Sequence, residues 1–242
     1  MNAIEIEGLT KRYKDILAVD KLSLCVGRGE LFALLGVNGA GKTTTIKMLS
    51  CLTTPTDGDA RLMGKSIRNE PSDVKSLISV SPQETAVAPG LTARENLELI
   101  CGVHCFSKEK TTLKINELTS LLGLESVMTR RAGKLSGGWQ RRLSIAMALI
   151  SEPQILFLDE PTLGLDVIAR SELWDIIRSL KGKITIVLTT HYMEEAESLS
   201  DRIAIMKDGK LLVCDTAQSI KEQTGEDSFE KAFVSIVKGV KE

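Results

Sequence analysis

The sequence predicts an α/β fold: a core with a mostly parallel sheet, an antiparallel β-subdomain and an inserted helical subdomain. Three observations predict it. The apolar run 31–35, Leu31-Phe32-Ala33-Leu34-Leu35, leads into Gly36-Val37-Asn38-Gly39-Ala40-Gly41-Lys42-Thr43-Thr44 and then into residues that read as a helix. Two more continuous apolar stretches, 155–158 and 184–188, end in polar residues, as strands covered on both faces do. Between 83 and 136 there are helix caps and helical apolar spacing but no strand signal.

Taken in order, residues 3–9 alternate Ile4, Ile6 and Leu9 with Glu5 and Glu7, a strand with one wet face. Tyr13 falls in a polar turn. Residues 22–26 form a second strand, ended by Gly27-Arg28-Gly29. The strand 31–35 and the first helix follow. Pro55-Thr56-Asp57-Gly58 is a turn signal, 60–63 a short strand ended by Gly64, and 78–81 another strand, ending near Gln83. A polar residue just past the carboxyl end of a strand is placed for ligand work.

Thr92-Ala93-Arg94-Glu95 is a capping box for a helix through Leu97, Ile100 and Cys101. Ser107 caps a second helix with a stripe of Leu113, Leu118, Leu121 and Leu122, ended by Gly123. A third helix starts at Ser136-Gly137-Gly138, whose bare N–H groups favour an anion. Its buried face is Leu143, Ala146, Met147 and Ile150. The strand 155–158 ends in Asp159-Glu160-Pro161. A tight turn follows, and Asp166 caps a helix to Leu180. The strand 184–188 ends in Thr189-Thr190-His191, before a short helix 193–199. Residues 202–206 and 211–214 flank Lys207-Asp208-Gly209-Lys210 as a hairpin. Thr216 caps a further helix, and Phe229, Phe233, Ile236 and Val237 give the tail an apolar face for docking on the domain.

The 242 residues are 43% hydrophobic and 26% charged, an ordinary composition able to bury a core. With aromatics at 4%, that core should be aliphatic. A net charge of −1 offers no basic footprint for nucleic acid, although a sum does not speak for a local patch. The N-terminus lacks a basic segment followed by an apolar one, and no stretch of about 20 apolar residues is long enough to cross a bilayer. The cysteines, Cys25, Cys51, Cys101, Cys105 and Cys214, are odd in number and read as reduced core residues of a cytosolic protein. Cys101, His104 and Cys105 lack the second pair that a zinc site needs, so buried thiols on a helix are the simpler reading.

The chemistry concentrates at 36–44. G-x-x-x-x-G-K-T between a strand and a helix is a phosphate loop. Its glycines let backbone N–H groups turn inward around an anion, and the following helix adds its own unpaired N–H groups. Lys42 brings a point charge to the β- and γ-phosphates, and the Thr43 hydroxyl suits Mg²⁺. Asp159, at the tip of a buried strand, is the magnesium partner such a loop needs. A glycine-rich turn of accidental pattern is the rival reading, disfavoured by the flanking strand and helix.

These stations, in this order, resemble the nucleotide-binding subunit of an ATP-binding-cassette (ABC) transporter over roughly residues 4–215. The resemblance implies one ATPase domain over 1–242. Its core is about 1–83 and 151–215, its helical subdomain about 84–150, and its C-terminal helical tail about 216–242. It implies that Tyr13 stacks on adenine. It makes Gln83 the glutamine that contacts magnesium and water and senses the transport partner. It makes Ser136, Gly137 and Gly138 the signature that binds, in trans, the γ-phosphate held by the opposite subunit, with Asp166 at the same seam. Glu160 is then the general base and His191 the γ-phosphate switch. ATP and Mg²⁺ are the implied ligands. The implied partners are a membrane permease and a second copy or a paralogue, not nucleic acid, and the location is the cytoplasmic face of the membrane.

Two residues depart from the family pattern. Trp139 stands where the signature usually has Gln, and Leu163 where a small residue is usual; both put the packing of the seam in doubt. The stretch 190–197 and the short 83–136 insert resemble the exporter branch linked to drugs, sodium or lipids. The rivals are a cassette ATPase acting on DNA, ribosomes or cofactor assembly, and a nucleotide-gated module without turnover. Lys42, Asp159, Glu160 and His191 argue against the second.

Overall fold

The computed structural model of the protein describes residues 1–239; residues 240–242, which the sequence reading counts in the tail, lie outside the described residues. β1 (Asn2–Tyr13) and β2 (Ile16–Gly27) form a long hairpin. Both outrun the stretches expected from alternation, and Tyr13 is the last residue of β1 rather than part of a turn. The pairing shifts register four times along β1, with Gly8 at φ 58, so the in-out alternation that marks a strand breaks down. β3 (Leu31–Gly36) is buried throughout and runs into the phosphate loop and α1 (Lys42–Leu49).

β4 (Asp57–Leu62) pairs antiparallel with β1, so the expected turn at 55–58 ends two residues early, at the start of the strand. β5 (Lys65–Ser66) and α2 (Pro71–Leu77) carry no expectation from sequence; α2 buries only Val74, too little for a periodic signal. β6 (Ile78–Ser81) follows. α3 (Ala93–Val103) opens with the expected capping box, and α4 (Lys108–Leu122) with the Ser107 cap, ending at Gly123 in the left-handed region. α5 (Gly137–Leu149) completes the helical block. Its buried face includes Ile145, Leu149 and Arg141, while Met147 is only half-buried.

Beyond lie β7 (Ile155–Asp159), α6 (Val167–Leu180), β8 (Thr185–Thr190), α7 (Met193–Leu199), β9 (Arg202–Lys207), β10 (Lys210–Asp215), α8 (Ala217–Thr224) and α9 (Phe229–Gly239). The sheets are ordered β2-β1-β4-β5 and β10-β9-β3-β8-β7-β6. In the second, β9, β3, β8, β7 and β6 run parallel, and β10 closes the edge antiparallel.

The two faces of β3 divide the core. Leu31, Ala33 and Leu35 join Leu156, Leu158, Ile186 and Leu188 under the helices. Phe32 and Leu34 join Phe157, Val187 and Ala204 against α1 and the antiparallel sheet. A strand covered on both faces must be apolar at every residue, which is why 31–35 and 155–158 show no alternation. Most fully buried large side chains are aliphatic, with Phe32, Phe157 and Phe229 among them. Phe229 and Phe233 dock α9 on the domain. The cysteines depart from expectation. All five are free, but only Cys101 is buried, while Cys25 and Cys105 are exposed. Cys25 sits on a strand of the outer sheet and Cys105 in the turn after α3, where apolar sequence neighbours do not translate into cover.

Candidate nucleotide-binding cleft and active site

Parallel pairing brings four strand ends to one edge. β3 ends in the phosphate loop, β7 in Asp159 and Glu160, β8 in Thr190 and His191, and β6 leads to Gln83. The register sets Leu35 beside Thr190 and Asp159 beside Thr189. A cleft of about 640 Å³ opens there, lined by 38–44 together with Tyr13, Gln83, Glu160, Leu163 and His191. Ile16, Leu17, Ala18 and Asp208 line it too, and no pattern in the sequence singled them out.

The loop needs its glycines. Gly41 has φ 99, and a Cβ there would meet the Ala18 carbonyl oxygen at 2.5 Å. Gly41 also stands at the start of α1 with no capping side chain, so the first N–H groups of the helix are left for an anion. Gly36 and Ala40 are buried, whereas Val37, Asn38 and Gly39 are exposed. Thr44 lies in the first turn of α1.

Beneath the loop the charges are paired. Lys42, 6% exposed, donates from Nζ to the Gly36 carbonyl at 2.8 Å and lies 3.4 Å from Glu160 Oε1. Glu160 Oε2 is 2.7 Å from His191 Nδ1. The Glu160 backbone, at φ 48, occupies a region that a residue with a Cβ enters at a cost. It is held there by its N–H, which donates to the carbonyl and hydroxyl of Thr189. Asp159 Oδ1 accepts from Thr43 Oγ1 at 3.2 Å and from Thr189 Oγ1 at 2.5 Å. A hydroxyl and a carboxylate held together, with the Gln83 amide on the same cleft, are hard oxygen donors. That set fits Mg²⁺, which takes one or two protein ligands and completes its shell from phosphates and water.

Ser136, Gly138 and Asp166 are elsewhere. They line a separate groove of about 250 Å³ with Trp139, Arg142, Ile168, Ala169 and Glu172, and Gly137 is exposed beside it. Asp166 caps α6 through Ala169 N–H at 2.9 Å. Trp139 holds its ring 4.7 Å from the Arg142 guanidinium, which in turn pairs with Glu172. Leu163 faces the main cleft instead. Thus one chain brings the phosphate loop, Gln83, Asp159, Glu160 and His191 together, and carries Ser136 and Asp166 on another face.

Sequence reasoning missed Arg141. This arginine, 4% exposed, donates to the Pro82 carbonyl at 2.6 Å and the Gln83 carbonyl at 2.5 Å, fixing the segment that carries Gln83. Burial pulls its guanidinium below the ordinary range, partly offset by the Asp159 and Glu195 carboxylates. The available signal was position: it lies three and four residues before Ser144 and Ile145, on the buried side of α5. Arg141→Met should leave both carbonyls without their donor, costing about 1–3 kcal/mol for each. Melting temperature should fall, and amide exchange across 82–88 should rise; unchanged exchange there would refute the role.

A phosphate loop at the carboxyl edge of a parallel sheet, with an acid pair at the end of β7 on the same edge, defines a nucleoside-triphosphate-binding α/β domain. The ABC transporter family model matches residues 19–163. The daunorubicin resistance ATP-binding protein DrrA3 of Streptomyces coeruleorubidus is 41% identical over 226 residues, covering 93% of this chain and 72% of the relative. A solved ATP-binding subunit of an ABC transporter superposes with a TM-score of 0.86 at 28% identity, over 97% of this chain and 99% of that one. A dimeric ATP-binding cassette in a post-hydrolysis state, bound to ADP and Pi, gives 0.79 at 27% identity, over 88% and 98%. The chain belongs to the ABC transporter family, as an ATP-binding, ATP-hydrolysing subunit. Among the described residues no helix is long and apolar enough to cross a membrane.

Proposed function

We propose that this chain hydrolyses ATP by in-line attack of water and uses the cycle to drive export through a separate permease. The observation that carries the proposal is the Glu160 carboxyl, held between Lys42 and His191 at the floor of the cleft. Tyr13, 44% exposed at the rim, offers its ring face to adenine. The 38–44 backbone N–H groups and Lys42 hold the phosphates and meet the charge that gathers on the transferred group. Thr43 and Asp159, with Gln83 on the same cleft, would hold Mg²⁺, which would neutralise charge on the β- and γ-phosphates. Glu160 takes the proton of the attacking water, and His191 steadies both Glu160 and the γ-phosphate. Deep burial and the fixed backbone keep Glu160 aimed before substrate arrives.

The separate groove at Ser136–Gly138 and Asp166 serves the facing copy or paralogue, because it opens to the surface away from its own phosphate loop. Two such half-sites close over two nucleotides, and hydrolysis reopens them. The subunit then sits on the cytoplasmic face of the membrane. Its core is about 1–83 and 151–215, with the helical block about 84–150 between them, and Gln83 at their junction is placed to sense the permease. Export is supported by the relative named for daunorubicin resistance. Near-neutral charge disfavours a nucleic-acid partner. Affinity isolation from native membranes should bring a polytopic permease with the chain, and the purified chain should release phosphate from ATP. Isolation with ribosomes or DNA instead, or no phosphate release, would defeat the reading.

A further inference from the structure

One buried carboxyl lies outside the machinery above. Glu195, fully buried on α7, stands four residues after His191. It is the third residue of its helix, where a glutamate ordinarily reaches back to the N-terminal amides. Here the Tyr192 N–H instead donates to Thr190 Oγ1 at 2.9 Å, and α7 has no side-chain cap. Glu195 is therefore free to point inward. Its Oε1 accepts from Trp174 Nε1 of α6 at 3.1 Å. The Thr190 and Thr162 hydroxyls flank the same carboxyl. Glu195 Oε2 and Thr162 Oγ1, both buried, have no hydrogen-bond partner of good geometry among the described residues.

An orphaned buried polar atom costs stability, so a pair of them side by side calls for a reason. The three segments meeting at Glu195 supply one. Thr162 belongs to the turn just after Glu160, Thr190 precedes His191, and Trp174 lies on α6, which Asp166 caps. Tyr192 adds to the same knot, its ring tilted against His191 with centroids 4.1 Å apart and lying under Arg170 at 4.7 Å.

We infer that Glu195 is a positioning residue. Through Thr162, Thr190 and Trp174 it locks the 160–166 turn to the end of β8, and so holds the Glu160–His191 pair in register. The inference rests on the proposed roles of Glu160 and His191. The orphaned atoms lie at this joint, where the Thr162 hydroxyl faces the Glu195 carboxyl. Glutamine keeps the shape and the acceptor that Trp174 Nε1 uses, so it is the conservative mimic; burial raises the Glu195 carboxyl above its ordinary range.

The test compares ATP turnover of the full chain carrying Glu195→Gln, Glu195→Leu or Thr162→Val, with ATP affinity measured by calorimetry. Misplacing reacting groups by about 1 Å costs about 10²-fold, so Glu195→Leu should lose about that much kcat with KM near the wild-type value. Glu195→Gln should restore most of it. Thr162→Val, which keeps shape and removes only the hydroxyl, should lower kcat with KM unchanged. It decides the matter if the leucine variant does not fold. Wild-type kcat in Glu195→Leu or, where that fails to fold, in Thr162→Val, overturns the inference. So does a Gln variant as slow as the Leu one, or a KM that rises in step. Glu160→Gln run in parallel separates the two readings. Normal turnover there defeats the assigned base. Lost turnover there with normal Glu195→Leu defeats only the joint.

Discussion

Glu160→Gln should bind ATP and turn it over about 10²–10⁴ times more slowly, a barrier raised by about 3–5 kcal/mol. The substitution keeps the shape of the side chain and an oxygen for His191, 2.7 Å away, but removes the group that takes the water's proton. It also removes the negative partner that Lys42 has at 3.4 Å. Without nucleotide, the buried Lys42 charge is then less well compensated, and with nucleotide the phosphates replace what was lost. ATP should therefore raise the melting temperature of Glu160→Gln more than that of the unaltered chain, by mass action on a tighter and longer-lived complex. A trapped complex should also be the dimer, with Ser136 and Asp166 of each copy over the other's nucleotide. Light scattering with ATP is the measurement. Phosphate release at the unaltered rate would end the assignment of Glu160. A variant that stays monomeric with saturating ATP would exclude two copies of this chain as the pair and leave a paralogue.

Much of this site could be read in the sequence because its parts are local. A strand covered on both faces, as β3 and β7 are, announces itself as a continuous apolar run, and whatever follows it lies at the carboxyl edge of the sheet. The phosphate loop, Asp159, Glu160 and His191 each sit at such a junction, so finding the strands found the site. The caps of α3, α4, α6 and α8 are equally local, each made within three residues. What stayed hidden depends on partners distant in the chain. Arg141 is buried because two carbonyls 58 and 59 residues away need a donor. Glu195 is buried because Trp174 and two threonines converge on it. The first half of β2 follows bulged pairing that erases alternation, and β4 begins inside what reads as a turn. The separation of Ser136 from the phosphate loop is likewise a matter of tertiary geometry: the motif names the residue, and only the fold puts it in another groove.

Lys42→Met tests the other end of the same pair and should be more damaging to binding than Glu160→Gln. Lys42 does three things at once in this structure. It closes the loop by donating to the Gly36 carbonyl at 2.8 Å, and more weakly to that of Val37 at 3.4 Å. It compensates Glu160, and its charge faces the cleft. Methionine keeps the length and apolar stem but supplies no donor and no charge. A hydrogen bond to a charged group is worth about 1.5–3 kcal/mol, so ATP affinity should fall by about 10- to 100-fold. Turnover should fall further, by about 10²–10³ at saturating ATP, because the lost charge opposed what gathers in the transition state. Stability should fall as well. Glu160, 6% exposed, loses the Lys42 ammonium 3.4 Å away, and breaking a buried ion pair on one side costs up to about 3–5 kcal/mol. The double variant Lys42→Met with Glu160→Gln separates these effects. It should recover much of the lost stability, since no uncompensated carboxylate remains, while recovering neither ATP affinity nor turnover. Equal stability of the single and double variants would mean that the 3.4 Å pairing contributes nothing to the fold. Wild-type ATP affinity in Lys42→Met would mean that the phosphates are held by the loop backbone alone.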